Sequence, residues 1–210
     1  MENKLNEHDW SFSKISGGFD NHVREQLPWY DITLDIVSFV VKNYASKNAV
    51  IYDIGSSTGN LKKILHDVIN ERQLNYFAID NLAEMNPDVV ADAREYEYQN
   101  FDVAILNLTL MFIPVKDRYI LLSQLRDKMN KGGCIIIMDK FIQPEGYLAT
   151  ILRRVTLYWK YKNNVDGNEI IKKELSLSGI QIPLNYSELG SNAKQFLRFG
   201  EFEGFIITDI

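Results

Sequence analysis

Apolar positions along the chain recur with two periods, and the switches between them set out a series of elements. Residues 32–44 place Ile32, Ile36, Val37, Val40 and Tyr44 at helical spacing, and Ala49-Val50-Ile51-Tyr52 follows as an unbroken apolar run ending at Asp53. A strand buried on both faces requires such a run. Residues 55–60 read as a turn of small residues, after which Leu61, Ile64, Leu65, Val68 and Ile69 trace the stripe of an amphipathic helix. The pattern predicts further strands at 75–79, closed by Asp80, at 89–91 before Asp92, and at 101–106 before Asn107. A helix over 116–129, with Ile120, Leu121, Leu125 and Met129 on one face, is stopped by Lys131-Gly132-Gly133 ahead of a strand at 134–138.

Strands alternating with helices imply an α/β chain whose mostly parallel sheet is covered on both faces. From residue 143 the rhythm breaks. A basic, aromatic helix at 148–162 leads into a polar turn at 163–168 and a less regular stretch to 189. The tail has two β-like pieces around 200–204, which suit an antiparallel hairpin at the sheet edge. The expected division is a helical amino-terminal cap at 1–45, a ligand-binding core at 46–142, a helical lid or insertion at 143–193, and a hairpin at 194–210 that completes the core sheet.

With 210 residues, 46% hydrophobic and 24% charged, the chain is sized for one domain with a small lid. A net charge of −5 provides no global basic field to attract nucleic acid. No apolar stretch approaches the roughly 20 residues of a membrane span, and residues 1–10 lack a signal-peptide core, so a soluble cytoplasmic protein with no membrane partner is expected. The single cysteine, Cys134, excludes an intramolecular disulfide framework and a cysteine-cluster zinc site, and inside a hydrophobic strand it reads as a buried thiol. His8, His22 and His66 fall on unrelated segments and read as surface residues, so no metal is expected.

In open parallel sheets ligands bind at the carboxyl ends of the strands, which makes the residues after each strand the candidates for chemistry. Asp53-Ile54-Gly55-Ser56-Ser57-Thr58-Gly59 puts an acid at the end of the first strand, followed by a turn whose glycines let backbone approach a ligand closely. Asp80 stands at the end of the second strand, where one carboxylate can accept both hydroxyls of a ribose. The turn has neither the spacing nor the lysine of a phosphate-binding loop, and Ser57 occupies the second glycine position of a dinucleotide fingerprint. A ligand without a pyrophosphate is favoured.

These strand ends resemble those of class I S-adenosylmethionine (SAM) methyltransferases. The resemblance implies a Rossmann-like, seven-stranded, mostly parallel sheet with an antiparallel last strand. It also implies Gly55 against the methionine and ribose of SAM, Asp80 on the ribose, Asp92 and Ala93 flanking adenine, and Asn107 lining the site. The ligand would be SAM or S-adenosylhomocysteine. Further segments, in order Trp10-Ser11-Phe12, Phe19-Asp20, Pro28-Trp29-Tyr30, Tyr52-Asp53-Ile54-Gly55-Ser56, Ala78-Ile79-Asp80-Asn81, Leu106-Asn107-Leu108-Thr109-Leu110, Gly132-Gly133 and Lys140-Phe141, are similar to the carboxy-SAM synthase family. That adds Tyr30 and Asn81 to a cofactor set of Asp53, Gly55, Ser56, Ser57, Gly59, Asp80, Asp92, Ala93 and Asn107, and implies a homodimer.

One position departs from that family. Where its insertion carries an arginine for the extra carboxylate of carboxy-SAM, alignment places Glu174, which favours ordinary SAM unless Lys172, Lys173 or Arg198 substitutes. The expectation is a SAM-dependent methyltransferase with unidentified acceptor and no assignable catalytic residue. The alternatives are a carboxy-SAM synthase acting on SAM and prephenate, and a SAM-binding regulatory protein without turnover. Asn107-Leu108-Thr109-Leu110 lacks the paired prolines of enzymes that methylate nucleobase amines. Arg153, Arg154, Lys160 and Lys162, interleaved with Tyr158, Trp159 and Tyr161, leave RNA open as an acceptor beside a solvated helix face. Asp139 and Lys140 read equally as an ion pair or as acceptor-pocket residues.

Overall fold

A computed structural model describes residues 18–143 and 145–209. Helices α1 (Phe19–Gln26) and α2 (Tyr30–Tyr44) lead into strand β1 (Val50–Ile54). Helices α3 (Asn60–Ile64) and α4 (His66–Arg72) connect β1 to β2 (Asn75–Asp80), which is followed by the short β3 (Val89–Val90) and by β4 (Phe101–Asn107). Helix α5 (Val115–Lys128) precedes β5 (Met129–Lys140). The insertion holds α6 (Tyr147–Lys162) and α7 (Gly167–Ser176), and β6 (Ala193–Phe199) and β7 (Phe202–Thr208) close the chain.

The seven strands order as β3-β2-β1-β4-β5-β7-β6. The first five are mutually parallel, and β7 runs antiparallel to both β5 and β6. Order and direction agree with the Rossmann-like reading. Helical coverage explains the sequence pattern: Ile51, Ile54, Val103 to Leu106 and Cys134 to Met138 are fully buried, as strands covered on both faces must be. Buried Val37 and Val41 of α2 and Leu121, Leu122 and Leu125 of α5 belong to the same core.

Several local expectations are corrected. The stripe from Leu61 to Ile69 is two helices joined at Leu65. The glycine pair after α5 does not interrupt the chain: β5 starts at Met129, and a Cβ on Gly133 would lie 2.6 Å from the Asp102 carbonyl oxygen, so the pair permits close strand packing. Gly204 lies inside β7, leaving Gly200, at φ +60°, and Glu201 as the hairpin turn. Within the region read as irregular, α7 is a helix capped by Asp166, whose side chain accepts from the backbone N–H of Asn168 and Glu169. The insertion returns to the sheet where Leu184 N donates to Lys140 O and Ile142 N donates to Leu184 O, both at 2.8 Å.

Candidate functional site

The carboxyl ends of β2, β1, β4 and β5 form a row carrying Asp80, Asp53 with Gly55, Asn107 and Lys140. At ~4.8 Å per strand this row is about 14 Å long. Helices α1 and α2 and the insertion roof it over, enclosing a cleft of about 480 Å³. Of the candidate cofactor residues, Tyr30, Asp53, Gly55, Ser56, Ser57, Asp80, Asn81, Asp92, Ala93 and Asn107 line this cleft. Gly59 does not; at φ +70° it is the turn residue from which α3 starts. Trp10-Ser11-Phe12 and His8 lie outside the described residues.

The turn after β1 is held from beneath. The N–H groups of Gly55 and Ser56 both donate to Ile79 O, at 2.8 and 3.0 Å. Gly55 has φ +74°, and a Cβ there would stand 2.5 Å from Thr109 Oγ1, which itself donates to Ile54 O at 2.9 Å. Glycine is therefore required twice, by the left-handed backbone and by the neighbouring threonine. The Asp80 carboxylate accepts from Ser57 N at 2.9 Å and from Leu82 N at 3.0 Å, one bond per oxygen. Each oxygen keeps a lone pair, so the group is fixed in orientation and free to accept two hydroxyls.

Asp53 has another role. It is buried, accepts from the Tyr76 hydroxyl at 2.7 Å, and burial pushes its carboxyl up to about 6. Asp92 is bound by Arg94, whose guanidinium pulls its carboxyl below the ordinary range and also reaches Asp117 at 2.9 Å. Tyr30 is buried beside Asn60, and Asn60 and Thr58 both donate to Asp20 Oδ1, tying the cap to the turn. Asp20, noted in the sequence only as a landmark, is thus a positioning residue for the loop.

Three buried side-chain atoms among the described residues lack a hydrogen-bond partner: Gln26 Oε1, Ser56 Oγ and Asn107 Oδ1. All three residues line this cleft. Buried polar groups are normally paired, and an orphan costs about 1–3 kcal/mol of desolvation. Three in one cleft, two at the strand ends and one on the cap helix, mark a surface suited to polar groups of a ligand.

Opposite the Asp80 end, the cleft is lined by Lys140, Lys160, Lys173, His22 and Glu174. Lys140 and Lys160 are 7% and 5% exposed. Glu174 accepts from Lys160 Nζ at 2.8 Å and also pairs with Arg153, and despite the opposing effect of burial these cations hold its carboxyl down at about 2. Arg153 also meets Glu201 at 3.2 Å, and Lys140 lies 3.9 Å from the same acid. The repulsive glutamate inferred from sequence is already neutralised, within a cluster of four basic and two acidic side chains.

Other expectations resolve here. Asp139 and Lys140 part company: buried Asp139 accepts from the N–H of Thr109 at 3.1 Å, Met111 at 3.3 Å and Lys140 at 3.0 Å, so it is a backbone clamp, whereas the Lys140 side chain enters the cleft. Arg153 and Lys160 turn inward to Glu174, leaving Arg154 and Lys162 as the exposed basic residues of α6, a much thinner stripe for RNA. His22 lies in the cleft and not on the surface, whereas exposed His66 matches its surface reading. Cys134 is buried and desolvation pushes its thiol up to about 12, which suits a core residue. Among the described residues no cluster of metal-ligating side chains occurs, and no helix is long and apolar enough to cross a membrane.

No protein-family model matches the chain. It is 29% identical to the carboxy-S-adenosyl-L-methionine synthase of Staphylococcus epidermidis, an alignment covering 87% of this chain and 86% of that protein. The enzyme of the same name from Shewanella sp. is 26% identical, with 85% and 81% covered. Among solved structures, human N-acetylserotonin methyltransferase in complex with SAM superposes with TM-score 0.53 at 11% identity, covering 96% of this chain and 62% of the human one. An assigned SAM-dependent methyltransferase from Methanococcus maripaludis gives TM-score 0.54 at 16% identity, covering 99% and 95%. The chain has the class I SAM-dependent methyltransferase fold and is similar in sequence to carboxy-SAM synthases.

Proposed function

We propose that this chain binds SAM along the strand-end cleft and is a SAM-dependent transferase, a methyltransferase whose acceptor is unidentified. The observation that carries this reading is the pair of unpartnered buried polar atoms at the strand ends, Ser56 Oγ and Asn107 Oδ1, in the same cleft as an Asp80 carboxylate held by two backbone N–H groups. Asp80 would take the ribose hydroxyls, Asp92 and Ala93 would flank the adenine, and Ser56 and Asn107 would meet the amino-acid part. When bound, SAM supplies an activated methyl on a sulfonium. The chain's part is to fix that group, exclude water and orient the acceptor, so most of the rate enhancement comes from positioning. The proposal includes a homodimer, supported by the resemblance alone, and a cytoplasmic setting, supported by the single cysteine.

The test is titration calorimetry with SAM on the wild-type protein and on Asp80→Ala. Two charge-assisted hydrogen bonds of about 1.5 kcal/mol each predict at least a 100-fold loss of affinity. Equal affinities would remove Asp80 from the site.

The lysine-rich end supports a second reading, carboxy-SAM synthesis. With Glu174 engaged by Arg153 and Lys160, Lys140 and Lys173 remain to meet a carboxylate. Mass spectrometry of the ligand released on denaturing freshly purified protein separates the two: SAM or S-adenosylhomocysteine favours methyl transfer, carboxy-SAM the synthase.

A further inference from the structure

His22 and Gln26 sit one turn apart on α1, so both face the same wall of the cleft. Lys173 of α7 reaches across to place Nζ 2.5 Å from His22 Nε2. Two basic nitrogens that close cannot both be cations, because the charges would repel in a site largely removed from water, so the pair takes up at most one proton. Beside them, Gln26 Oε1 is buried without a donor. This niche lies in the same cleft and includes none of the residues assigned to SAM, so its polar groups remain for a second molecule.

We propose that Lys173, held against His22, is the proton acceptor for a neutral amine substrate, which gives one N–H to Gln26 Oε1 and presents another to Lys173. This rests on the SAM-transferase reading above. As the acceptor's lone pair bonds to the methyl carbon and the carbon–sulfur bond breaks, its proton passes to the Lys173 amine. The positive charge lost from the sulfonium reappears as the Lys173 ammonium, which His22 accepts as a hydrogen bond. Release of that proton to solvent restores the amine.

The surroundings favour a free amine. Burial and the charge of Lys160 on α6 bring the Lys173 amine down to about 7, against the weaker opposing pull of Glu174 beside it and Glu25 on α1. His22, depressed to about 4 chiefly by burial and then by Lys173 and Lys160, stays neutral and available as acceptor. Lys160 itself is bonded to Glu174 and is not placed to take a proton.

The test is trace acetylation of the full chain with acetic anhydride between pH 5 and 11, reading each lysine by peptide mass spectrometry. Lys173 should show a reactivity midpoint within one unit of pH 7 and be protected by added SAM-site ligand sinefungin, with exposed Lys116 as the unprotected reference. A Lys173 midpoint above 9.5 overturns the proposal. Calorimetry separates it from the broader reading: Lys173→Met should bind SAM within about threefold of wild type, whereas failure of the wild type itself to bind SAM defeats the transferase assignment. Conversion of labelled SAM in a protein-free cell extract should then drop at least 100-fold in Lys173→Met and Lys173→Arg alike. Turnover retained by Lys173→Arg, which carries charge but no exchangeable free base, would reduce the residue to a structural cation.

Discussion

Replacing Gly55 with alanine tests the architecture of the cleft at its tightest point. The new Cβ would stand 2.5 Å from Thr109 Oγ1 and 2.8 Å from its Cγ2, both well inside contact distance. Thr109 is not free to rotate away: its hydroxyl donates to Ile54 O at 2.9 Å, and its backbone N–H is held by Asp139 at 3.1 Å. A left-handed backbone on a non-glycine residue costs about 1–2 kcal/mol. Overpacking adds about 1–3 kcal/mol, and loss of the Thr109 bond about 1 kcal/mol. The sum, about 3–6 kcal/mol, is a large share of the 5–15 kcal/mol that stabilises a typical domain.

Urea denaturation followed by tryptophan fluorescence should register that loss as a lower midpoint with unchanged slope. The contact with Thr109 predicts coupling: Gly55→Ala in a Thr109→Ala background should cost at least 1 kcal/mol less than in the wild type. Additivity within about 0.5 kcal/mol, the behaviour of independent sites, would refute the steric reasoning. A single variant within 1 kcal/mol of wild type would refute it as well.

Asn107→Leu removes an unpartnered buried acceptor, so stability should hold or rise by about 1 kcal/mol while SAM affinity falls about tenfold; thermal melts with calorimetry check both, and a destabilised variant with normal affinity would show Asn107 to be structural. Asp139 carries a pH prediction. Burial raises its carboxyl from 3.8 to about 7, so the folded state binds the extra proton between those values and the group's contribution is complete below pH 4 and lost as pH rises through 7. Unfolding free energies measured from pH 4 to 8 should therefore fall more steeply in the wild type than in Asp139→Asn, and parallel curves would show the carboxylate to be stable at neutral pH.

The parts of the fold visible in the sequence share one physical cause. A strand covered on both faces must be apolar throughout and must end where the chain meets the cleft, so Asp53, Asp80 and Asn107 announce themselves as the first polar residues after such runs. The same logic located β5, but it misjudged the glycines within it, because Gly133 answers to the carbonyl of Asp102 on a neighbouring strand and not to the helix that precedes β5. Helix α7 was readable in principle. Asp166 is a good cap and Ile170 and Leu177 lie seven apart on its buried side, yet Gly167 and Asn168 in the first turn mimic a loop.

Charge pairing was not readable, because it depends on distance in space. Arg153, Glu174 and Glu201 come from α6, α7 and the β6–β7 turn, and His22 meets Lys173 across 151 positions. Read one column at a time, Glu174 appears as a substitution that reverses the charge where a cation is needed. In three dimensions its charge is met by Arg153 and Lys160, and Lys140 and Lys173 remain beside it at the cleft. An acid there is therefore already paired: it fixes the positions of two cations, while Lys140 and the Lys173 amine line the cleft where the ligand enters. The identity of the second substrate is encoded in that balance across three elements, which is why the nucleoside end of this cleft can be read from short motifs and the acceptor end only from the folded chain.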